Sequence, residues 1–164
     1  MPRSHGPFRF PVGDLLSDPG RRRPVELAAD VDWRLNSSRL VAMVSGTLML
    51  QGTSGGVFVT GSAVTTAAHT CTRCLREFEA PVSVTINELD GGEDPEYPLD
   101  QDVADLEPVL RDAVLLTFPL LPLCDPECRG LCATCGADLN TGACPGHEEE
   151  SSSPFAGLRE LLEP

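Results

Sequence analysis

Cys124-Asp-Pro-Glu-Cys128-Arg-Gly-Leu-Cys132-Ala-Thr-Cys135, preceded by Cys71-Thr-Arg-Cys74 and followed by Cys144-Pro-Gly-His147, is the part of this 164-residue chain that decides how it folds. Thiolates two or three residues apart can converge on one centre without stretching the backbone, the arrangement that tetrahedral Zn2+ requires. Seven cysteines and His147 supply enough donors for two closed four-coordinate sites.

Competing readings of these cysteines fit less of the pattern. A disulfide framework suits an oxidising compartment, but Met1 to Pro11 carries no apolar core of a secretion signal, and seven thiols leave one over. A redox pair at Cys71/Cys74 calls for a strand-to-helix turn, whereas the residues on both sides alternate as strands. Inert burial explains a single cysteine, not two C-x2-C pairs and a C-x3-C-x3-C run.

Counting leaves two ways to pair the donors. One joins Cys71 and Cys74 with Cys124 and Cys128, leaving Cys132, Cys135, Cys144 and His147 as a local site. The other joins Cys71 and Cys74 with Cys132 and Cys135 and sends Cys124 and Cys128 to Cys144 and His147. The first is preferred, because Cys132-Ala-Thr-Cys135-Gly136 and Cys144-Pro-Gly-His147 read as two adjacent turns able to close on one ion. His69, two residues before Cys71, is a further candidate ligand, although a lone strand histidine is more often ordinary packing. Sites filled by four protein donors leave no open position for water or substrate, so the expectation is structural zinc, two ions per chain.

Composition bounds the rest. A formal net charge of −13 argues against wrapping nucleic acid through a general positive field. No apolar run reaches the roughly 18 residues of a membrane span, which points to a soluble, cytoplasmic chain. There is no lysine; all twelve basic residues are arginine. Glu88 to Glu107 holds nine carboxylates and no basic residue, the mark of a solvated loop. As a magnesium site for a nuclease it lacks a rigid element to hold it. Arg3, Arg9 and Arg21 to Arg23 outnumber Asp14 and Asp18, making the N-terminal arm the one plausible phosphate contact.

Four stretches have strand periodicity: Val25 to Leu35, Leu40 to Leu50, Val57 to Thr70, and Val82 to Ile86. Asn36-Ser37-Ser38 and Gly52 to Gly56 read as the turns between the first three. A helix follows, with Asp105 as its cap, Pro108 in its first turn, and Leu106, Val109, Leu110, Ala113, Val114 and Thr117 on one face. Pro119 and Pro122 end it. Ser151-Ser-Ser153-Pro154 reads as a linker into a short amphipathic helix with Phe155, Leu158, Leu161 and Leu162, expected to dock on the domain. The expected fold is α+β: an antiparallel meander, curling towards a partial barrel, covered by a helix and followed by a Cys-rich zinc-binding region. The divisions are residues 1–23 as an arm, 24–123 as sheet and helix, 124–147 as the Cys-rich segment, and 148–164 as linker and helix.

The ordered set Cys71-Thr-Arg-Cys74-Leu75, then Asp105-Leu-Glu-Pro108 opening a helix, then Pro122-Leu-Cys124 through Cys135-Gly136-Ala-Asp-Leu-Asn140, resembles the YceD family of large ribosomal RNA subunit accumulation proteins. Phe10-Pro-Val-Gly-Asp-Leu-Leu16 and the closing Phe155 to Leu162 are also similar to that family's bacterial and plastid members. The resemblance implies a role in making the large ribosomal subunit, as a factor needed for 23S-type RNA to be processed or to accumulate, with no established catalytic activity. It matches Cys71, Cys74, Cys124, Cys128, Cys132 and Cys135 to family cysteines. Many members close with Cys-x-Cys, where this chain has Cys144-Pro-Gly-His147; some lack the later cysteines, which fits a structural second site. The partners implied are large-subunit precursors, ribosomal RNA, ribosomal proteins or other biogenesis factors. A zinc-stabilised adaptor or regulator unrelated to ribosomes, and a thiol redox switch, are the alternatives. No phosphate-cradling glycine loop, nucleophile elbow or open metal motif suggests an enzyme.

Overall fold

In the computed structural model, residues 6–90, 102–142, 144, 146 and 147 are described. Two long strands form the centre: β6 (Gly56–Thr70) and β7 (Glu77–Asp90) pair antiparallel from Val57↔Asp90 to Thr70↔Glu77. Val57, Val59, Ala63, Thr65, Ala67 and His69 of β6 are buried, as are Val82, Val84 and Ile86 of β7, so period-two alternation puts one face of each strand against the core. The same row of β6 continues beyond its end to Cys71, which is fully buried.

The other edge of β6 is shared by two strands in succession. β5 (Val44–Thr53) pairs with its first half, Ser45↔Val64 to Thr53↔Gly56, and β4 (Ser38–Leu40) with its last turn, Ser38↔His69 to Leu40↔Ala67. β2 (Arg22–Ala29) lies outside β5 and β3 (Arg34–Leu35) outside β4. The two stretches expected as continuous strands are thus each interrupted, at residues 30–33 and 41–43. The break is stitched across: Leu40 N–H donates to Trp33 O, Val41 N–H to Thr66 O, and Thr65 Oγ1 to Ala42 O. It turns Ala42 outward while Trp33 stays buried against Phe8, with ring centroids 5.8 Å apart. Among the described residues the sheet stays open, and its proline-bearing strands β2 and β7 are edges, where a missing N–H costs no ladder bond.

α2 (Glu107–Leu116) buries Val109, Leu110 and Val114 and packs against β7. Its N-cap is Leu106, not the expected Asp105, with no cap bond from that side chain; Asp105, one residue earlier, accepts at Oδ1 from the Glu107 N–H at 3.1 Å. Asp105 also ends β8 (Val103–Asp105), which pairs with β1 (Arg9–Pro11) in a separate two-stranded ladder. This ladder and the short α1 (Gly13–Leu16) bring Phe8, Val12 and Leu15 into the same core as the sheet. The first residues therefore carry core packing that their composition did not announce. Most of the acidic run, residues 91–101, and the expected C-terminal linker and helix lie outside the described residues.

β5 and β6 approach closely at Gly61, whose φ is +148° and where a Cβ would lie 2.3 Å from the Thr47 carbonyl oxygen. Backbone cannot yield as a side chain does. Gly61→Ala is expected to lower stability by about 2–4 kcal/mol, with Ser62→Ala on the exposed face within about 0.5 kcal/mol of the parent, both measured by urea denaturation.

Candidate metal centres

The sulfur atoms fall into two groups of four donors. Cys71, Cys74, Cys124 and Cys128 form site one; Cys132, Cys135, Cys144 and His147 form site two; within each, the donor atoms all lie within 4.8 Å of one another. This is the pairing in which the last four donors close locally. Either group could hold a metal ion.

Site one is assembled from two distant stretches. Cys71 and Cys74 sit in the corner between β6 and β7, and the chain leaving α2 brings Cys124 and Cys128 to them. Thr72 fixes that approach, its N–H and Oγ1 donating to Pro122 O at 2.9 and 3.2 Å. Arg73 fixes the other end, Nη1 donating to Cys128 O at 2.8 Å. Phe78, Leu123 and Leu131 pack around the sulfurs, three of which are buried.

The two C-x2-C elements have the same backbone wiring. Leu75 N–H donates to Cys71 O and Cys71 N–H to Arg76 O; Gly136 N–H donates to Cys132 O and Cys132 N–H to Ala137 O. The residue after each second cysteine takes a left-handed conformation, φ +58° at Leu75 and +72° at Gly136. That closed loop aims both sulfurs to one side, which is why the spacing reads as a ligand pair.

Sulfur separations test the fit. A tetrahedral ion with Zn–S near 2.3 Å sets sulfurs about 3.8 Å apart, whereas a disulfide bond is about 2.0 Å. Cys71 and Cys128 are 3.8 Å apart, Cys74 and Cys124 3.6 Å. In site two, Cys135 and Cys144 are 3.8 Å apart and Cys144 and Cys132 3.6 Å. His147 Nε2 lies 3.2 Å from Cys132 Sγ and 2.9 Å from Cys144 Sγ, so it completes the set. Soft thiolates with at most one imidazole suit Zn2+.

The other site expectations resolve separately. His69 belongs to neither group. It is buried between Phe78 and Phe118, with Nδ1 2.7 Å from Ser38 Oγ, and burial lowers its pKa. Of the N-terminal arginines, Arg9 pairs with Asp105, and Arg21 and Arg23 with Asp14. Arg3 lies outside the described residues. Sequence reasoning missed Asp138 and Asn140 as parts of the site. Asp138-Leu-Asn140 is a turn signature that points to a loop, and only the folded arrangement carries it to the sulfurs.

Four converging thiols cannot all ionise without a cation among them. Burial pushes the Cys71 thiol up, but main-chain N–H groups of Cys124, Cys74 and Arg73 outweigh it and bring it down to about 6. The N–H groups of Cys135 and Thr134, with the His147 ring, bring Cys132 down to about 6. Cys124 is pushed up to about 12 by the bond it shares with Cys74 and by burial. The Arg76 N–H lowers Cys74, but burial and the Cys71 and Cys128 thiols leave it raised. The Gly146 N–H lowers Cys144, but burial with Cys132 and Cys135 leaves it raised. Taking up a divalent cation must therefore expel protons. Cys71 and Cys132 lie below the ordinary thiol value of 9.0, so stabilisation from their anions is complete above that value and is lost as pH falls to about 6. Zinc held near pH 7.5 is expected to be released on acidification, at a pH below the value of about 6 of the metal-free Cys71 and Cys132 because a bound cation competes with protons for the same sulfurs, read with a chromogenic indicator; zinc content unchanged at about pH 3 contradicts this.

Comparison with known proteins accords with this geometry. The family described as Large ribosomal RNA subunit accumulation protein YceD matches residues 59–162, which enclose both donor groups. An uncharacterized protein of Mycobacterium tuberculosis is 33% identical over 188 residues, covering 100% of this chain and 90% of the relative. The chloroplastic Large ribosomal RNA subunit accumulation protein YCED homolog 1 of Zea mays is 35% identical over 65 residues, 38% of this chain and 22% of that protein. Its Arabidopsis thaliana counterpart is 34% identical over 70 residues, 41% and 22% respectively. No solved structure matches. The chain belongs to the YceD family of large ribosomal RNA subunit accumulation proteins.

Proposed function

We propose that the chain is a non-enzymatic, zinc-stabilised factor in large ribosomal subunit biogenesis, needed for 23S-type ribosomal RNA to be processed or to accumulate in the cytoplasm. The observation that carries this reading is the family match over residues 59–162, with both donor groups inside it. Two plant relatives bear the name Large ribosomal RNA subunit accumulation protein YCED homolog 1.

The zinc role follows from coordination. Each group offers four protein donors, which fill a tetrahedral ion and leave no position for a substrate or activated water. Bound there, zinc would supply cross-linking of the chain, on the order of 10 kcal/mol in small metal-dependent domains. The chain's own residues then do the rest: Thr72 and Arg73 hold the incoming strand, and Phe78, Leu123 and Leu131 shield the sulfurs.

The contact surface is read as mainly proteinaceous. Net charge is −13, and Arg9, Arg21 and Arg23 are already paired with carboxylates, which leaves little field for a phosphate backbone. At the end of α2 and just past it, Leu116, Leu120 and Leu121 are 85%, 86% and 74% exposed, apolar area of the kind protein partners cover. No helix among the described residues is long and apolar enough to cross a membrane. That apolar area alone would also serve a zinc-stabilised adaptor unconnected with ribosomes.

Sedimentation of cell extract distinguishes the two. The tagged chain is expected to run with large-subunit precursors, and its depletion to lower the large-subunit peak and mature 23S-type RNA. Recovery only at the top of the gradient, with ribosome profiles unchanged on depletion, favours the adaptor.

A further inference from the structure

The loop that closes site two reaches into site one. Asn140 lies between Cys135 and Cys144, yet its Nδ2 donates to Sγ of Cys128 at 3.6 Å. The amide is held in that position on its other sides. Its Oδ1 accepts from the Arg129 N–H at 2.7 Å, and Asp138 Oδ1 accepts from both the Asn140 N–H and its Nδ2, at 2.9 and 2.7 Å. Asp138 is anchored in turn: Oδ2 accepts from Arg76 Nη2 at 2.9 Å, two residues past Cys74.

The main chain runs the same way. Leu139 N–H donates to Gly130 O at 2.9 Å, and Leu131 N–H to Arg73 O at 3.1 Å, so residues 128–132 lie between the Cys71/Cys74 knuckle and the site-two loop. Gly130 permits that closeness, with φ +77° and space for a Cβ only 3.0 Å from Arg73 O. Each contact joins a segment adjoining one donor group to a segment adjoining the other.

We propose that Asn140 is a positioning residue that couples the two metal sites, so that closure of the site-two loop around its ion presents the Asn140 amide to the Cys128 sulfur and tightens site one. An N–H donor directed at a metal-bound thiolate stabilises its anionic form and its orientation, and such outer partners commonly contribute about 10–100-fold to metal affinity. The loop bearing Asn140 is bounded by Cys135 and Cys144, so an ion gripping both fixes its ends. By linkage, filling site one favours site two by the same factor.

This inference rests on the two-site zinc reading, and Co2+ titration of the full reduced chain separates the two claims. Ligand sets of four sulfurs and of three sulfurs with one nitrogen give different visible absorption bands, so each site reports separately. The parent is expected to take two ions. Asn140→Ala should weaken the four-sulfur site about 10-fold while leaving the band positions of the other site unchanged. His147→Ala, which opens site two, should weaken the four-sulfur site similarly, and the double variant should lose no more than either single one. Asn140→Asp, which keeps an oxygen for the Arg129 N–H and loses the donor to Cys128, should behave as Asn140→Ala and serves if the alanine variant does not fold. Four-sulfur affinity within about twofold of the parent in either Asn140 variant, or multiplicative losses in the double variant, overturns the coupling. Fewer than two ions in the parent overturns the two-site reading itself.

Discussion

Four sulfur atoms from stretches some fifty residues apart in sequence meet at the corner between β6 and β7, and the path of the C-terminal part of the chain depends on what holds them together. After α2 the chain crosses Pro119 and Pro122, which cannot continue a helix, and it enters no ladder among the described residues until the single Leu131↔Asp138 bridge. Apart from the Thr72 and Arg73 contacts and a small cluster around Phe78, Leu123 and Leu131, little apolar area or regular hydrogen bonding is available to fix it. The donor group there could hold a metal ion, and a cation bound at the sulfurs would replace the missing core. Without it, the thiols oppose one another's ionisation: Cys124 is pushed up by the bond it shares with Cys74 and by burial, while main-chain N–H groups bring Cys71 down.

Charge is organised around the same architecture. Arg9 binds Asp105, joining β1 to the start of α2, Arg21 and Arg23 bind Asp14, and Arg76 binds Asp138 across the two knuckles. Exposed pairs of this kind contribute little stability one by one. Arg22 instead donates Nε to Gln51 Oε1, and Leu116, Leu120 and Leu121 are exposed at the end of α2 and just beyond it.

Much of this was legible from residue order. β6 and α2 have sustained periodicity, of period two and of helical spacing respectively, that marks their buried faces, whereas of β7 only Val82 to Ile86 was expected within a strand that runs Glu77–Asp90. The cysteine spacing marks the ligands because knuckle geometry is local, wired by the same bonds at Cys71 and Cys132. The breaks at residues 30–33 and 41–43 were not legible, since apolar alternation runs straight through them, and the bonds at them are tertiary: Trp33 O accepts from Leu40 at the first, and Val41 and Ala42 bond Thr66 and Thr65 at the second. The β1–β8 ladder spans three residues a side, too short for a period, so Phe8, Val12 and Leu15 gave no sign of entering the core. Asn140 was not legible as part of the site, because its partner, Cys128, is a neighbour only after folding.

The most direct test of the account is the metal content of the full chain purified from cells under reducing conditions, followed by its amide-exchange pattern before and after chelation. The account predicts two zinc ions per chain, and on their removal a loss of protection in residues 119–147 while β5, β6 and the upper part of β7 keep theirs. A chain that carries no transition metal, yet protects residues 119–147 as well as the sheet, contradicts it.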